Sequence, residues 1–227
     1  MSDDGVITLI GGPARVGKTT LARRWVGSRA VEWVQLDHLL HSVAAVATGA
    51  ARDALNKAPS IDTHSEVQWL SALRERDAVL WQAAHAYADA ARGELVIEGG
   101  LWPDWMARLQ WPHVGIFLVD TSPGMAERLI EIVRAHPESW MAQRGYTDAK
   151  IRKWATYNRF RSQQIAELAD LHGYRVFDIA ACGISDTQEA ALRYLADRAR
   201  NGCAQGVRGG LTAARENGYR GDGAADT

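Results

Sequence analysis

Short apolar runs alternate with longer amphipathic segments along most of this chain. Residues 6–10, 31–36, 94–98, 114–119 and 174–179 are compact hydrophobic runs, the first ended by Gly11-Gly12 and the third by Gly99-Gly100. Runs of this length, bounded by turn residues, predict buried strands. Between them lie helical patterns. One is expected from about Gly17 to residue 28 and another over residues 39–47, broken by Ala58-Pro59-Ser60. A long helix follows Thr63-His64-Ser65-Glu66, which reads as a capping box. Leu70, Leu73, Leu80, Ala84 and Tyr87 mark its apolar face, with a gap filled by Asp77, and Gly93 is a natural stop. Ser122-Pro123 predicts a helix start with proline at the first position. Another long helix is expected over about residues 148–172, ended by Gly173, and a last one from Ser185-Asp186-Thr187-Gln188 to about Arg200. Strands alternating with helices imply an α/β fold: a parallel five-stranded sheet with helices on both faces.

The first strand leads into the sharpest chemical signal. Gly12-Pro13-Ala14-Arg15-Val16-Gly17-Lys18-Thr19 satisfies G-x-x-x-x-G-K-[ST] at every fixed position, between a predicted strand and a predicted helix. A loop that wraps a phosphate must aim several backbone N–H groups inward. Glycine permits that path and leaves room for the anion. The following helix, through Thr20 and beyond, presents its positive end to the same phosphate. Lys18 can reach the β- and γ-phosphates, and the Thr19 hydroxyl can ligate Mg²⁺. The pattern therefore predicts a nucleotide site, with ATP and Mg²⁺ as cofactors.

The loop identifies a nucleotide and leaves the reaction open. The nearest approach to a guanine-reading N-K-x-D segment, Asn56-Lys57-Ala58-Pro59, lacks the aspartate. The P-loop, the short chain, the five strands and the polar segment before the second long helix resemble the small-molecule P-loop kinases. These include the nucleoside monophosphate kinases, shikimate kinase and chloramphenicol phosphotransferase. The resemblance spans about residues 5–200, and it implies the nucleoside monophosphate kinase type of P-loop fold and transfer of phosphate from ATP to a hydroxyl of a small molecule.

It also implies roles for particular residues. Asp37, closing the second strand, matches the aspartate that meets the acceptor hydroxyl, as general base or as a Mg²⁺ contact through water. The plainer alternative is a helix cap. Glu98, Gly99 and Gly100 end the third strand where such kinases place acceptor or Mg²⁺ contacts, and Trp102 could line the same pocket. Arg128 corresponds to an arginine that stacks on adenine. Arg134 and Arg144 correspond to lid arginines acting on the transferred charge, with a solvated helix face as the alternative. Arg159 and Arg161 are further candidates for that role, although they lie on a long polar helix that would carry arginines in any case. Asp120 ends a hydrophobic strand as a metal-binding aspartate would, but its place in the strand order argues against that role. His38 and His41, one turn apart beside Asp37, suit acceptor contact or packing better than a metal.

Composition narrows the picture. The chain has 227 residues and a formal net charge of -1, so no nucleic-acid or membrane surface is expected. The N-terminal apolar run is too short for a secretory signal, and no segment approaches the ~20 apolar residues of a membrane span. The expected setting is cytoplasmic, with Cys182 and Cys203 as reduced thiols, and the expected state a monomer or homodimer. Nine tryptophans are many for this size, and a few could line an acceptor pocket. The expected organisation is a kinase domain over residues 1–202. It includes an acceptor-binding helical segment at about 38–92 and a lid at about 137–148. A mobile tail over 203–227 follows, where glycine, alanine, arginine and aspartate dominate. Two other function classes stand beside the kinase. A nucleotide-bound regulator without phosphotransfer would have no need of a carboxylate at Asp37. A plain hydrolase would need a water-positioning glutamine that is not evident.

Overall fold

Period-two alternation on both faces of one sheet organises the molecule, here described from a computed structural model covering residues 6–27, 29–56, 59–91 and 93–200. The tail expected over 203–227, with Cys203, lies outside the described residues. The strands are β1 (Ile7–Gly11), β2 (Glu32–Gln35), β3 (Leu95–Gly99), β4 (His113–Val119) and β5 (Arg175–Asp178). They form one sheet in the order β2-β3-β1-β4-β5, all parallel. Leu9, Ile97 and Phe117 point to one face and Ile10, Val96 and Ile116 to the other, and each set joins its own core cluster. Both faces are covered, which is why the strands read as continuous apolar runs.

Helices α1 (Lys18–Val26) and α9 (Ile179–Arg200) cover the second face through Leu21, Ala22, Ala191 and Leu195. The first face carries α4 (Glu66–Ala90), α6 (Met125–Ala135) and α8 (Asp148–Leu171). The shorter α2 (Leu36–Val46) and α3 (Gly49–Asn56) lead from β2 to α4. Two one-turn helices, α5 (Pro103–Met106) and α7 (Trp140–Gln143), are too short to show a hydrophobic period in sequence.

Three helix starts differ from expectation. The capping box is built on Ser65 and Gln68, two residues later than Thr63 and Glu66. Both quartets fit the pattern, but the later start lets Trp69 and Leu73 turn into the core. Helix α6 starts at Met125 after Gly124, so Pro123 precedes it. Helix α9 starts at Ile179, and a kink at Gly183 (φ 81, ψ 172) separates that first turn from the helix expected after Ser185.

Candidate functional site

The cradle begins where β1 runs into Gly12. A side chain is impossible there: a Cβ would lie 2.0 Å from the Leu118 carbonyl oxygen on β4, at φ +136. Arg15 adopts a left-handed conformation, φ 67, alone among the described non-glycine residues. That conformation costs about 1 kcal/mol for a residue with a Cβ, and a loop curled around an anion is where such strain is kept. Pro13 and Val16 are buried, whereas Ala14, Arg15 and Thr20 are exposed. Gly17, φ 83, stands at the N-terminus of α1 and no side chain caps that end. The first amides of α1 are thus left to an anionic ligand.

Lys18 and Thr19 have protein partners waiting. Lys18 Nζ donates to the Pro13 carbonyl at 2.6 Å, folded back over its own loop. Thr19 Oγ1 donates to Glu98 Oε1 at 2.9 Å, across 79 residues of sequence. Parallel pairing makes this contact: Ile10 stands in register with Glu98, and Gly11 with Gly99, so the ends of β1 and β3 arrive together. Burial pushes the Lys18 ammonium below its ordinary value, while Glu98 and then Asp37 partly restore it. Burial likewise pushes the Glu98 carboxyl up, against Lys18 and the Thr19 hydrogen bond. A hydroxyl and a carboxylate so placed are a fitting pair for Mg²⁺. Asp37 lies in the first turn of α2, just past the end of β2, which stops at Gln35. It is exposed, and its charge is felt at both Lys18 and Glu98. His38 and His41 beside it are exposed. Among the described residues no group of three or more His, Cys, Asp or Glu gathers to hold a metal.

The raised Glu98 carboxyl makes a testable demand on stability. Its folded pKa exceeds its unfolded one, so its favourable contribution is present below about pH 4.5 and is lost as pH rises through the folded value. Glu98→Gln removes that loss. The variant is expected to melt above wild type at pH 8, by roughly 2–4 °C for each kcal/mol recovered, with the gap closing toward pH 4. Thermal melts across that range check it, and a gap independent of pH would refute the buried-charge account.

The arginines expected to act on the nucleotide have partners of their own. Arg128 forms an ion pair with Asp120, a buried carboxylate that also accepts from the Ser122 N–H at 3.0 Å and the Ser122 hydroxyl at 2.6 Å. Asp120 therefore shapes the turn from β4 into α6 and holds the Arg128 guanidinium, which remains partly exposed. Arg134 pairs with Asp148 at 2.5 Å, joining the end of α6 to the start of α8, and is exposed. Arg144, also exposed, lies 5.6 Å from the Trp140 ring centroid. Among the described residues no hydrogen bond or ion pair joins Arg134 or Arg144 to the cradle.

The structure brings together residues that sequence gave no reason to join. Asp77 of α4 and Arg161 of α8 meet at 3.0 Å, both nearly inaccessible. Trp102 donates its indole N–H to Asp77 Oδ2 at 3.1 Å, and Arg76 donates to Oδ1 at 2.9 Å. The Trp102 ring is 1% exposed, so it is a wall behind the end of β3 and not an open pocket face. Arg74 lies 4.3 Å from its centroid and pairs with Asp104 at 2.8 Å. The signal was present in the spacing. Asp77 fills the gap in the α4 stripe, and Arg161 falls seven residues after Trp154 and four before Ile165, on the buried stripe of α8.

No family model matches the chain, and no curated protein matches it in sequence. Solved structures do match. A shikimate kinase from Acinetobacter baumannii, in complex with shikimate, aligns with a TM-score of 0.52 at 12% identity, over 86% of this chain and 96% of that one. A shikimate kinase from Bacteroides thetaiotaomicron gives 0.51 at 14% identity, over 86% and 98%. A gluconokinase from Sinorhizobium meliloti gives 0.46 at 16% identity, over 88% and 97%. The fold is thus that of the P-loop kinases of shikimate kinase type. No helix among the described residues is long and apolar enough to cross a membrane.

Proposed function

We propose that this chain is an ATP-dependent phosphotransferase acting on a hydroxyl group of a small molecule. One observation carries the reading: Lys18, Thr19, Glu98 and Asp37 gather at the carboxyl edge of a parallel sheet, around a strained, uncapped glycine loop. That edge is where open α/β sheets hold ligands.

The residues divide the work by their chemistry. Residues 12–20 hold the triphosphate through backbone amides and the α1 terminus. Lys18 exchanges the Pro13 carbonyl for phosphate oxygen. Thr19 and Glu98 would hold Mg²⁺, which would offset phosphate charge. Asp37 accepts the proton of the acceptor hydroxyl as its oxygen attacks phosphorus, while the bond from phosphorus to the departing ADP breaks. Gly99 and Gly100 let the acceptor approach the strand end closely. A regulator that only binds nucleotide would have no use for Asp37 there.

Residues 38–92 form the proposed acceptor-binding segment and residues 137–148 the proposed lid. The lid is a packed unit: Ser139 caps α7, and Met141 is fully buried, an anchor worth about 2 kcal/mol. Closure would therefore pivot the α7 unit, carrying Arg144 toward the site while Arg134 stands at the end of α6 where the segment begins, and would not order a loose loop. The test is a screen of the purified chain with ATP and Mg²⁺ against pooled hydroxylated metabolites and antibiotics, read by the mass gain of one phosphoryl group. A phosphorylated alcohol is the expected outcome. Tight nucleotide binding with no product from any pool would turn the reading toward the regulator.

A further inference from the structure

A cleft opens on the flank of α4, away from the phosphate cradle. Trp81, Gln82 and His85 of α4 form one wall. Trp105, Arg108 and Leu109, from α5 and the turn after it, form the other. Its volume is about 240 Å³. Its place in the fold separates it from the carboxyl edge of the sheet. Asp77 of α4 adjoins Gly100, just past the end of β3. Trp81 and His85 lie one and two turns further along the helix, toward the amino edge. There the His85 ring centroid is 4.4 Å from that of Trp111, two residues before β4 begins. No residue of the cleft belongs to the phosphate loop or to the ends of β1 and β3.

The walls combine open ring surface with a few fixed polar groups. Trp81, His85 and Trp105 are half-buried, so part of each ring is accessible. Trp105 is held from behind, with Arg74 at 5.2 Å and the Trp102 ring at 6.1 Å from its centroid. Concave, mostly aromatic surfaces with a few polar groups suit small organic ligands. A cavity of about 150 Å³ admits benzene, so one of about 240 Å³ suits two fused rings. The polar groups set the sign of the ligand. Asp89 holds His85 Nδ1 at 3.1 Å and accepts the Trp111 indole N–H at 3.0 Å. Asp104, the acid of α5, is paired with Arg74 at 2.8 Å. Arg108 is exposed and has no ion-pair partner among the described residues. Both acids near the cleft are engaged, so its walls carry the uncompensated charge of Arg108. A guanidinium in that state matches a carboxylate, which it can hold by two parallel hydrogen bonds.

We propose that this cleft is a second ligand site, for a planar aromatic acid of about two fused rings, held between Trp81 and Trp105 with its carboxylate on Arg108. Although α4 belongs to the proposed acceptor-binding segment, the cleft uses the part of the helix beyond Asp77. The site therefore stands independently of the phosphotransferase reading.

The test is isothermal titration calorimetry of the full chain with naphthoate and three matched probes. These are neutral naphthamide, cationic naphthylmethylammonium, and cyclohexanecarboxylate, an acid without a planar ring. None carries a hydroxyl, so none is an acceptor for the proposed transfer. Naphthoate is expected to bind saturably at one site and more tightly than the other three. Saturating MgADP should leave its Kd within a few-fold. Arg108→Gln should weaken naphthoate about tenfold, the worth of one charge-assisted hydrogen bond, and leave naphthamide within a few-fold. Ala78→Phe, which puts a ring into the cleft from the α4 wall, should remove binding of both naphthalene probes. Thermal melts report that each variant is folded, and exposed Arg108 keeps the test usable if the Ala78 variant is not. No saturable naphthoate binding, equal or tighter binding of any other probe, or competition with MgADP would overturn the proposal. So would naphthoate affinity unchanged in the folded variants. A dimer seen by sedimentation in the wild type and lost in Ala78→Phe would also overturn it, since the cleft would then be an interface between copies.

Discussion

Replacing Lys18 by alanine is expected to abolish measurable phosphotransfer and to weaken nucleotide binding about 10–100-fold. The affinity loss corresponds to one or two charge-assisted hydrogen bonds. The rate loss is larger, because removing a single preorganised donor at developing charge costs about 10²–10³-fold, and Lys18 also removes a full positive charge from the phosphates. The fold should survive. Among the described residues the ammonium donates to the Pro13 carbonyl and lies near the charges of Glu98, Asp37 and Asp77. Thermal melting separates a folded, inactive variant from a damaged one. Nucleotide titration and ADP release then give the two effects independently. Turnover within tenfold of wild type in the folded variant would take the loop out of the chemistry.

Asp37→Asn is expected to lower kcat about 10²–10⁴-fold, the usual contribution of a positioned base, with nucleotide affinity changed far less. Asparagine keeps the size and much of the hydrogen bonding but cannot accept the proton. Asp37 is exposed and sits in the first turn of α2, where its removal disturbs little packing. A carboxylate in the first helical turn also favours the helix by a few tenths of a kcal/mol, so a small drop in melting temperature fits either role. The rate is what distinguishes them. A helix-stabilising Asp37 would leave turnover within a few-fold of wild type. That result would also remove the main argument for a kinase over a nucleotide-bound regulator.

These two residues differ in how far sequence alone could place them. Lys18 was legible because everything that positions it is local. Gly12, Gly17 and Thr19 lie within seven residues of one another, and the strand before and helix after them follow from hydrophobic pattern. Asp37 was legible as a strand-end carboxylate, yet β2 stops at Gln35 and Asp37 belongs to α2. The boundary moved because Leu36 turns its side chain into the core beneath Gly99, where a Cβ on that glycine would lie 2.6 Å from Leu36 Cβ. Sequence placed Glu98 at a strand end, with an acceptor or Mg²⁺ contact implied by the resemblance to kinases. Its bond to Thr19 depends on which strands are neighbours, and β1 pairs with β3 and not with β2.

The partners of Arg128 and Arg161 were decided by tertiary structure. Both are arginines on amphipathic helices, and composition cannot separate them. Arg128 comes within reach of Asp120 at the end of β4, which satisfies its charge within its own β4–α6 turn. Arg161 meets Asp77 across 84 residues of sequence, because α4 and α8 pack on the same face of the sheet. Sequence by itself determined the strands, the long helices and the glycine loop between β1 and α1, since each is specified by spacing within one turn or one pleat. Strand order and helix packing decided which charges are buried together, since desolvation and pairing depend on neighbours far away along the chain.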